Sequence, residues 1–543
     1  MRKKIIAAAA AALSMAFCLP GHAATLELLN VDPPGVGFND PTPATPVGGN
    51  AGTTVGAQRL IAYRKALELW GRTLKSSVNI VVQGSFAGLT CDATGGVLAQ
   101  AGTTYIFSDF PGAPLAGHWY HSALADALSG TDLVVAEGGP SGDPDIVANF
   151  NGNVGKPDCI AGPGWYYGLD NNAPVGQTDF LDTFMHEVSH GLGFSNFANE
   201  ASGALISGLP DVYMANTFDL FYGQPWNTTV FGPQTSLFLR LSAVNNGNVV
   251  WTGPQVTANS VKILGPYQGV RLTGNLNQEL VIGSASFGAA ATADNFGGPI
   301  VVALDDAVNG LSTTDGCGPL TNAAEVAGKI AFMDRGSCGF AVKAKNAQLA
   351  GAKGVIIGNN QAGGAIGLGG SDPTVTVPTI SVSQADGTAI KAASPGVSVE
   401  FFTDPSRRAG TNQGLVRLYA PTTVALGSSI SHFDTVALPN LLMEPFINAD
   451  LRSARNLDLT PALMQDIGWT LETLKIGACD TAVPNALTNG DLLHVKVENC
   501  KVGARNHGQF VSCINQVTNP LVAAGLMTGS QKGAISSCAG RSK

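Results

Sequence analysis

His186, Glu187 and His190 stand in the run HEVSH, followed by Gly191-Leu192-Gly193-Phe194. On an α-helix, positions i and i+4 share a face, so the two imidazoles can hold one metal ion between them. Glu187 sits beside them, placed to take a proton from water on that metal. Histidine is scarce, with eight in the chain. The context is helical: Thr178 or Asp179 offers an N-cap, Phe180, Phe184 and Val188 recur every four residues, and so do Leu181 and Met185. Gly191 and Gly193 are expected to end the helix. The chemistry that such a set performs is metal-assisted hydrolysis.

The elements that position this set are spread along 543 residues, room for about three or four domains. The chain is rich in Gly, poor in charge and of ordinary hydrophobicity, which suits a loop- and strand-rich exported protein. Arg2-Lys3-Lys4, an Ala/Ile/Leu run and Gly21-His22-Ala23 read as a secretory signal peptide over residues 1–23. Later apolar runs are too short to span a membrane. Without Arg2, Lys3 and Lys4, the 30 basic side chains fall to 27 against 39 acidic ones, a net −12. That surface repels nucleic acid. Oligomeric state is not legible.

Eight cysteines follow the leader, an even number that favours disulfides in an exported protein. Their order suggests Cys91 with Cys159, Cys317 with Cys338, and two pairs among Cys479, Cys500, Cys513 and Cys538. Asn227-Thr228-Thr229 fits a glycosylation sequon.

Residues 25–53 read as an extended lead-in. Leu60, Leu67, Trp70 and Leu74 mark one face of a helix, and Ser77–Phe86 and Asp145–Asn151 read as strands. Residues 197–265 look irregular. Further on, GPIVVALDD and KIAFMDRGSCGF read as two short strands, then a helix over 341–352, a strand over 354–359, and a strand in VTVPTISV. Asp334-Arg335-Gly336, Cys338, Phe340, AGAKGVIIGNN and VPTISVS make this stretch, about 270–402, resemble a protease-associated (PA) domain. The resemblance implies a small β-rich module without catalytic residues, inserted here over 266–403, that influences substrate access or protein contacts. Thr460-Pro461 opens a short helix, Ala462–Ile467, which Gly468 stops. Residues 473–543 read as a small separate Cys-containing unit. In it, Asn506–Cys513 is a turn into a helix.

Zinc in a hydrolase takes three protein ligands and leaves a position for water. The compact metzincin pattern HExxHxxGxxH is met by His186, Glu187, His190 and Gly193, but Asn196 stands at its last position and is a poor zinc ligand. Glu200 is one alternative. The other is distant: Ser431-His432-Phe433-Asp434 precedes Pro439-Asn440-Leu441-Leu442-Met443-Glu444. This set, with Leu463–Trp469 after it, resembles the third ligand, Met-turn and closing helix of metzincins, and most nearly the split arrangement of leishmanolysin-like enzymes.

The resemblance implies an α+β chain. A zincin-like catalytic domain, with a mixed twisted sheet and an active-site helix, covers 24–265 and 404–472 and is interrupted by the PA domain. It implies one catalytic Zn²⁺ on His186, His190 and His432, Glu187 as general base, Met443 packed below the metal, and peptide substrates for a secreted endopeptidase. No tyrosine closely follows Met443 to donate to an oxyanion. A structural Ca²⁺ is compatible with the sequence, though no motif shows one. The two-metal Asp/Glu/His set of PA-bearing aminopeptidases cannot be assembled. The rival from another class is an inactive zincin/PA protein that acts as a binding module, with Asn196 marking a decayed site. His118 and His121 have HxxH spacing but suit a loop or cleft rim, and His494 and His507 suit structural roles.

Overall fold

The computed structural model describes residues 23–542 apart from 94, 228–232, 286, 362–363 and 371. The leader, Ala23 excepted, and the sequon's Thr228 and Thr229 lie outside the described residues. The fold is mixed α/β. It divides into two compact units, one from Met1–Gly265 with Gly410–Lys543 and the other Pro266–Ala409.

In the first unit a four-stranded sheet is built from β1 (Leu26–Asn30), β2 (Ile80–Ala87), β3 (Ala99–Thr103) and β4 (Ile146–Asn151), in the order β1-β2-β4-β3. β1 runs parallel to β2 in the register Leu26 with Ile80, and β2 parallel to β4 with Val82 opposite Ile146. β3 is antiparallel to β4 and forms one edge. The lead-in at 25–53 therefore contains a strand. Only five residues of it, LELLN, are strand-like before the Pro/Gly-rich run begins, too few to stand out in the sequence.

Two helices pack on this sheet. α1 (Val55–Gly71) starts at Thr54, whose side chain accepts the Ala57 N–H at 3.1 Å. α2 (Phe180–Leu192) carries HEVSH and is capped by Asp179, which accepts the N–H groups of Leu181 and Asp182. Tyr63 of α1 meets Phe184 of α2 with ring centroids 4.1 Å apart, and Phe150 of β4 meets both Phe180 and Phe184 at 4.9 and 5.2 Å. All four rings are fully buried, each stabilising the fold by roughly 1.5–3 kcal/mol. The Trp70 indole donates to Met185 O and the Trp469 indole to Leu192 O, which ties the helix to its neighbours on either side of the motif.

The glycines of α2 divide their work. The helix passes through Gly191 and ends at Leu192, with Gly193 beyond it at φ +130°. Gly191 is not a stop signal: a Cβ there would lie 2.4 Å from Ile146 Cγ2, so the missing side chain lets α2 approach β4.

The stretch expected to be irregular, 197–265, contains the helices Pro233–Ala243 and Pro254–Ile263 and the strand Val249–Trp251. Each is short and starts with Pro or lacks a repeating apolar face, so periodicity did not reveal them. Val249–Trp251 pairs antiparallel with Leu415–Arg417, which brings the chain after residue 410 back onto the first unit's core. Leu418 then bridges Phe433, placing His432 on the next rung.

In the second unit an eight-stranded sheet has a parallel centre. Ile330–Asp334 lies between Gly297–Val302 and Gly354–Gly358, and Thr379–Val382 follows. The helices Phe340–Leu349 and Gln384–Ala393 flank it. The expected strand across 375–382 shortens to Thr379–Val382, because Pro378 has no N–H to give to a ladder.

Four disulfides join Cys91 to Cys159, Cys317 to Cys338, Cys479 to Cys538 and Cys500 to Cys513. Residues 473–542 have their own apolar cluster around Leu474, Phe510 and Ile535. They are nevertheless continuous with the first unit, not a separate body: Asn485 donates to Arg72 O and Leu492 N–H to Arg455 O.

Because Ile146 is fully buried and cannot swing away, Gly191→Ala should destabilise the first unit by about 1–3 kcal/mol. A urea titration followed by tryptophan fluorescence reads this as a lower midpoint. An unchanged midpoint would contradict the close-approach role.

Candidate metal centre

α2 presents His186 and His190 one turn apart on a buried face. His432 reaches them from 246 residues beyond His186, through the rung next to Leu418 and Phe433. The Nε2 atoms of His186 and His190 are 3.1 Å apart, and those of His186 and His432 are 3.2 Å apart. Among the described residues this is the one group of three metal-ligating side chains whose ligand atoms converge.

The other ring nitrogens explain the convergence. His186 Nδ1 lies 2.7 Å from Leu442 O, His190 Nδ1 2.7 Å from Phe194 O, and His432 Nδ1 2.9 Å from Ser428 O. A carbonyl only accepts, so each Nδ1 carries the proton and each Nε2 presents a bare lone pair. Two bare lone pairs cannot hydrogen-bond to each other, and three facing inward repel unless a cation lies between them. Three ligands on one tetrahedral zinc, each about 2.0–2.1 Å from it, stand about 3.3 Å apart, so the donor set fits that ion.

Burial keeps the imidazoles neutral. It lowers His186 to about 3, with the proximity of His190 adding to the effect, and lowers His190 to about 4. His432 is held well below the ordinary histidine value by burial first and its two neighbours next. Glu187 is buried, and no side-chain hydrogen bond holds its carboxyl among the described residues. Desolvation pushes it up to about 8, where a nearby cation would pull it down.

Leu442 and Met443 lie in a tight turn. Glu444 Oε1 accepts the Leu441 N–H at 2.8 Å, and Asp458 Oδ2 accepts the Leu442 N–H at 2.6 Å. Asp458 thus fixes the residue whose carbonyl orients His186. Its other oxygen accepts the Thr460 N–H at 3.2 Å. Met443 is fully buried, and its carbonyl accepts the Phe433 N–H, joining the turn to the His432 rung.

Neither nearby alternative joins the triad. Asn196 donates to Ser431 Oγ at 2.8 Å, and Glu200 Oε2 accepts the Gly427 N–H at 2.7 Å. His121 is not on a rim: it is fully buried, with Nε2 2.7 Å from Ser195 Oγ and its ring against Phe197. His118 contacts Ala116 O, His494 pairs with Asn485, and His507 is exposed near Gly540 O. Gly193 caps α2, where a Cβ would lie 2.5 Å from Ile467 Cδ1.

The PA domain family matches residues 296–390. Over 84 residues the chain is 38% identical to the ER degradation-enhancing alpha-mannosidase-like protein 3 of Xenopus laevis, covering 14% of this chain and 9% of that protein. Over 95 residues it is 36% identical to the receptor homology region, transmembrane domain- and RING domain-containing protein 1 of Oryza sativa subsp. japonica, covering 17% and 18%. The chain thus spans less than a fifth of the length of these curated relatives.

Among solved structures, a zinc aminopeptidase from Bacillus subtilis is 21% identical, with a TM-score of 0.20 over 27% of this chain and 36% of that one. The subtilisin-like protease Apa1 from the Antarctic psychrotroph Pseudoalteromonas sp. AS-11 is 23% identical, with a TM-score of 0.21 over 31% and 38%. These likenesses are local and leave the metal centre to its own geometry. Residues 296–390 are a PA domain, carried within the compact unit Pro266–Ala409.

Proposed function

We propose that the chain is a secreted zinc endopeptidase of the zincin type, with His186, His190 and His432 as ligands and Glu187 as general base. The observation that carries this reading is the meeting of three lone-paired Nε2 atoms, with the buried Glu187 next to the first ligand in the chain. When bound, zinc supplies Lewis acidity, acidifying a coordinated water and polarising a carbonyl.

The chain's own residues do the rest. The three carbonyls of Leu442, Phe194 and Ser428 hold the imidazoles in the tautomer that leaves Nε2 free. Glu187 accepts the proton of the attacking water and returns it to the leaving amine as the peptide bond breaks. β3, the antiparallel edge strand, packs beside α2. An extended substrate paired along it would run past the helix that carries the motif, which favours cleavage within a chain.

Export agrees with the four disulfides, and no helix among the described residues is long and apolar enough to cross a membrane. The PA domain fits a role in substrate access or protein contacts.

Glu187→Gln should keep the zinc and lower casein hydrolysis by about a thousandfold, and a chelator should silence the parent. Undiminished hydrolysis by the variant would overturn the base assignment. The depressed histidines give a pH signature. Three free imidazoles near 6.5 would lose about ten-thousandfold in zinc affinity between pH 7 and 5, because protons compete for the ligand atoms. Ligands that stay neutral to about 4 or below should lose less than about tenfold over that range, as read by chelator competition at each pH. A drop of the full size would contradict the buried, pre-tautomerised triad.

A further inference from the structure

We infer that Asn196 and Glu200, which stand where a local third ligand would have been sought, form a clasp that places the distant one. They are positioning residues, and the inference rests on the zinc reading of His432.

The ring of His432 is turned by one bond, Nδ1–H to Ser428 O at 2.9 Å. Ser428 belongs to the turn 425–429. That turn closes on itself: the N–H groups of Ser428 and Ser429 both donate to Ala425 O, and Ser429 Oγ accepts the Ala425 N–H. Its tip is exposed, with Leu426 72% accessible. Tyr213 and Tyr419 anchor the chain on the far side, at Ile430 and His432, and do not reach the turn. The bond from Gly427 N–H to Glu200 Oε2, at 2.7 Å, is what ties the turn to the segment leaving α2. Asn196 makes the second tie, with Nδ2 at 2.8 Å and its backbone N at 3.2 Å from Ser431 Oγ, next to the ligand itself.

Both ties start within ten residues of His190 and end within five of His432. The segment after the second ligand therefore braces the turn that orients the ring of the third, whose backbone the Leu418–Phe433 rung places. An Asn or Glu that merely filled space would not need its polar atoms aimed at Ser431 and Gly427.

The test measures zinc content and the rate of zinc loss to excess chelator in the parent, Glu200→Ala, Glu200→Gln and Asn196→Ala/Glu200→Ala, with the melting temperature of each metal-free protein beside it. Losing a partner that holds a metal-binding ring in place usually costs about 10–100-fold in metal binding. Zinc should leave the double variant 10–100-fold faster, while the metal-free melting temperature changes little. Glu200→Gln, which keeps an acceptor for Gly427, should stay within about threefold of the parent. Equal rates in parent and double variant would overturn the clasp alone. A parent without zinc would overturn the metal site and the clasp with it.

Discussion

Three imidazole lone pairs converge in a buried site, with His186 Nε2 3.1 and 3.2 Å from the other two, and a fold keeps such an arrangement only against their repulsion. Near neutral pH no proton relieves it, because burial disfavours a charged ring by more than the carbonyl at each Nδ1–H favours one. A cation relieves it at once. Carbonyls at the three Nδ1 atoms set the tautomer and burial depresses the histidines, so the surrounding elements can be understood by what each contributes to holding this arrangement.

The supports are backbone atoms from three separate stretches. Phe194 lies just past α2, Ser428 lies in the turn before His432, and Leu442 lies in the turn that Asp458 secures. The strand pairing of Val249–Trp251 with Leu415–Arg417 closes the chain on either side of the second unit, which makes a long insertion tolerable. Closure entropy grows only slowly with loop length, and a folded insert need not be ordered again.

Legibility in the sequence followed physical cause. HEVSH on a capped amphipathic helix was readable because period and cap residues are local signals, and Asp179 caps it. The PA strands were readable as short unbroken apolar runs, IAFM at Ile330–Met333 and VII at Val355–Ile357. The carbonyls that orient the three imidazoles were invisible, since every residue has one and only the fold decides where it points. Asp458, Asn196 and Glu200 were legible as polar residues but not in their roles, because each partner is distant in sequence or lies in an unremarkable turn. Gly191 was misread as a stop because a close approach to Ile146 leaves no pattern along the chain.

The central claim is that a split triad, completed by His432, holds one zinc ion. Elemental analysis of the purified protein and of its His432→Ala variant tests it most directly. The account predicts about one zinc per chain in the parent, lost or greatly weakened in the variant. A parent without zinc, or zinc held equally well by both proteins, would contradict it.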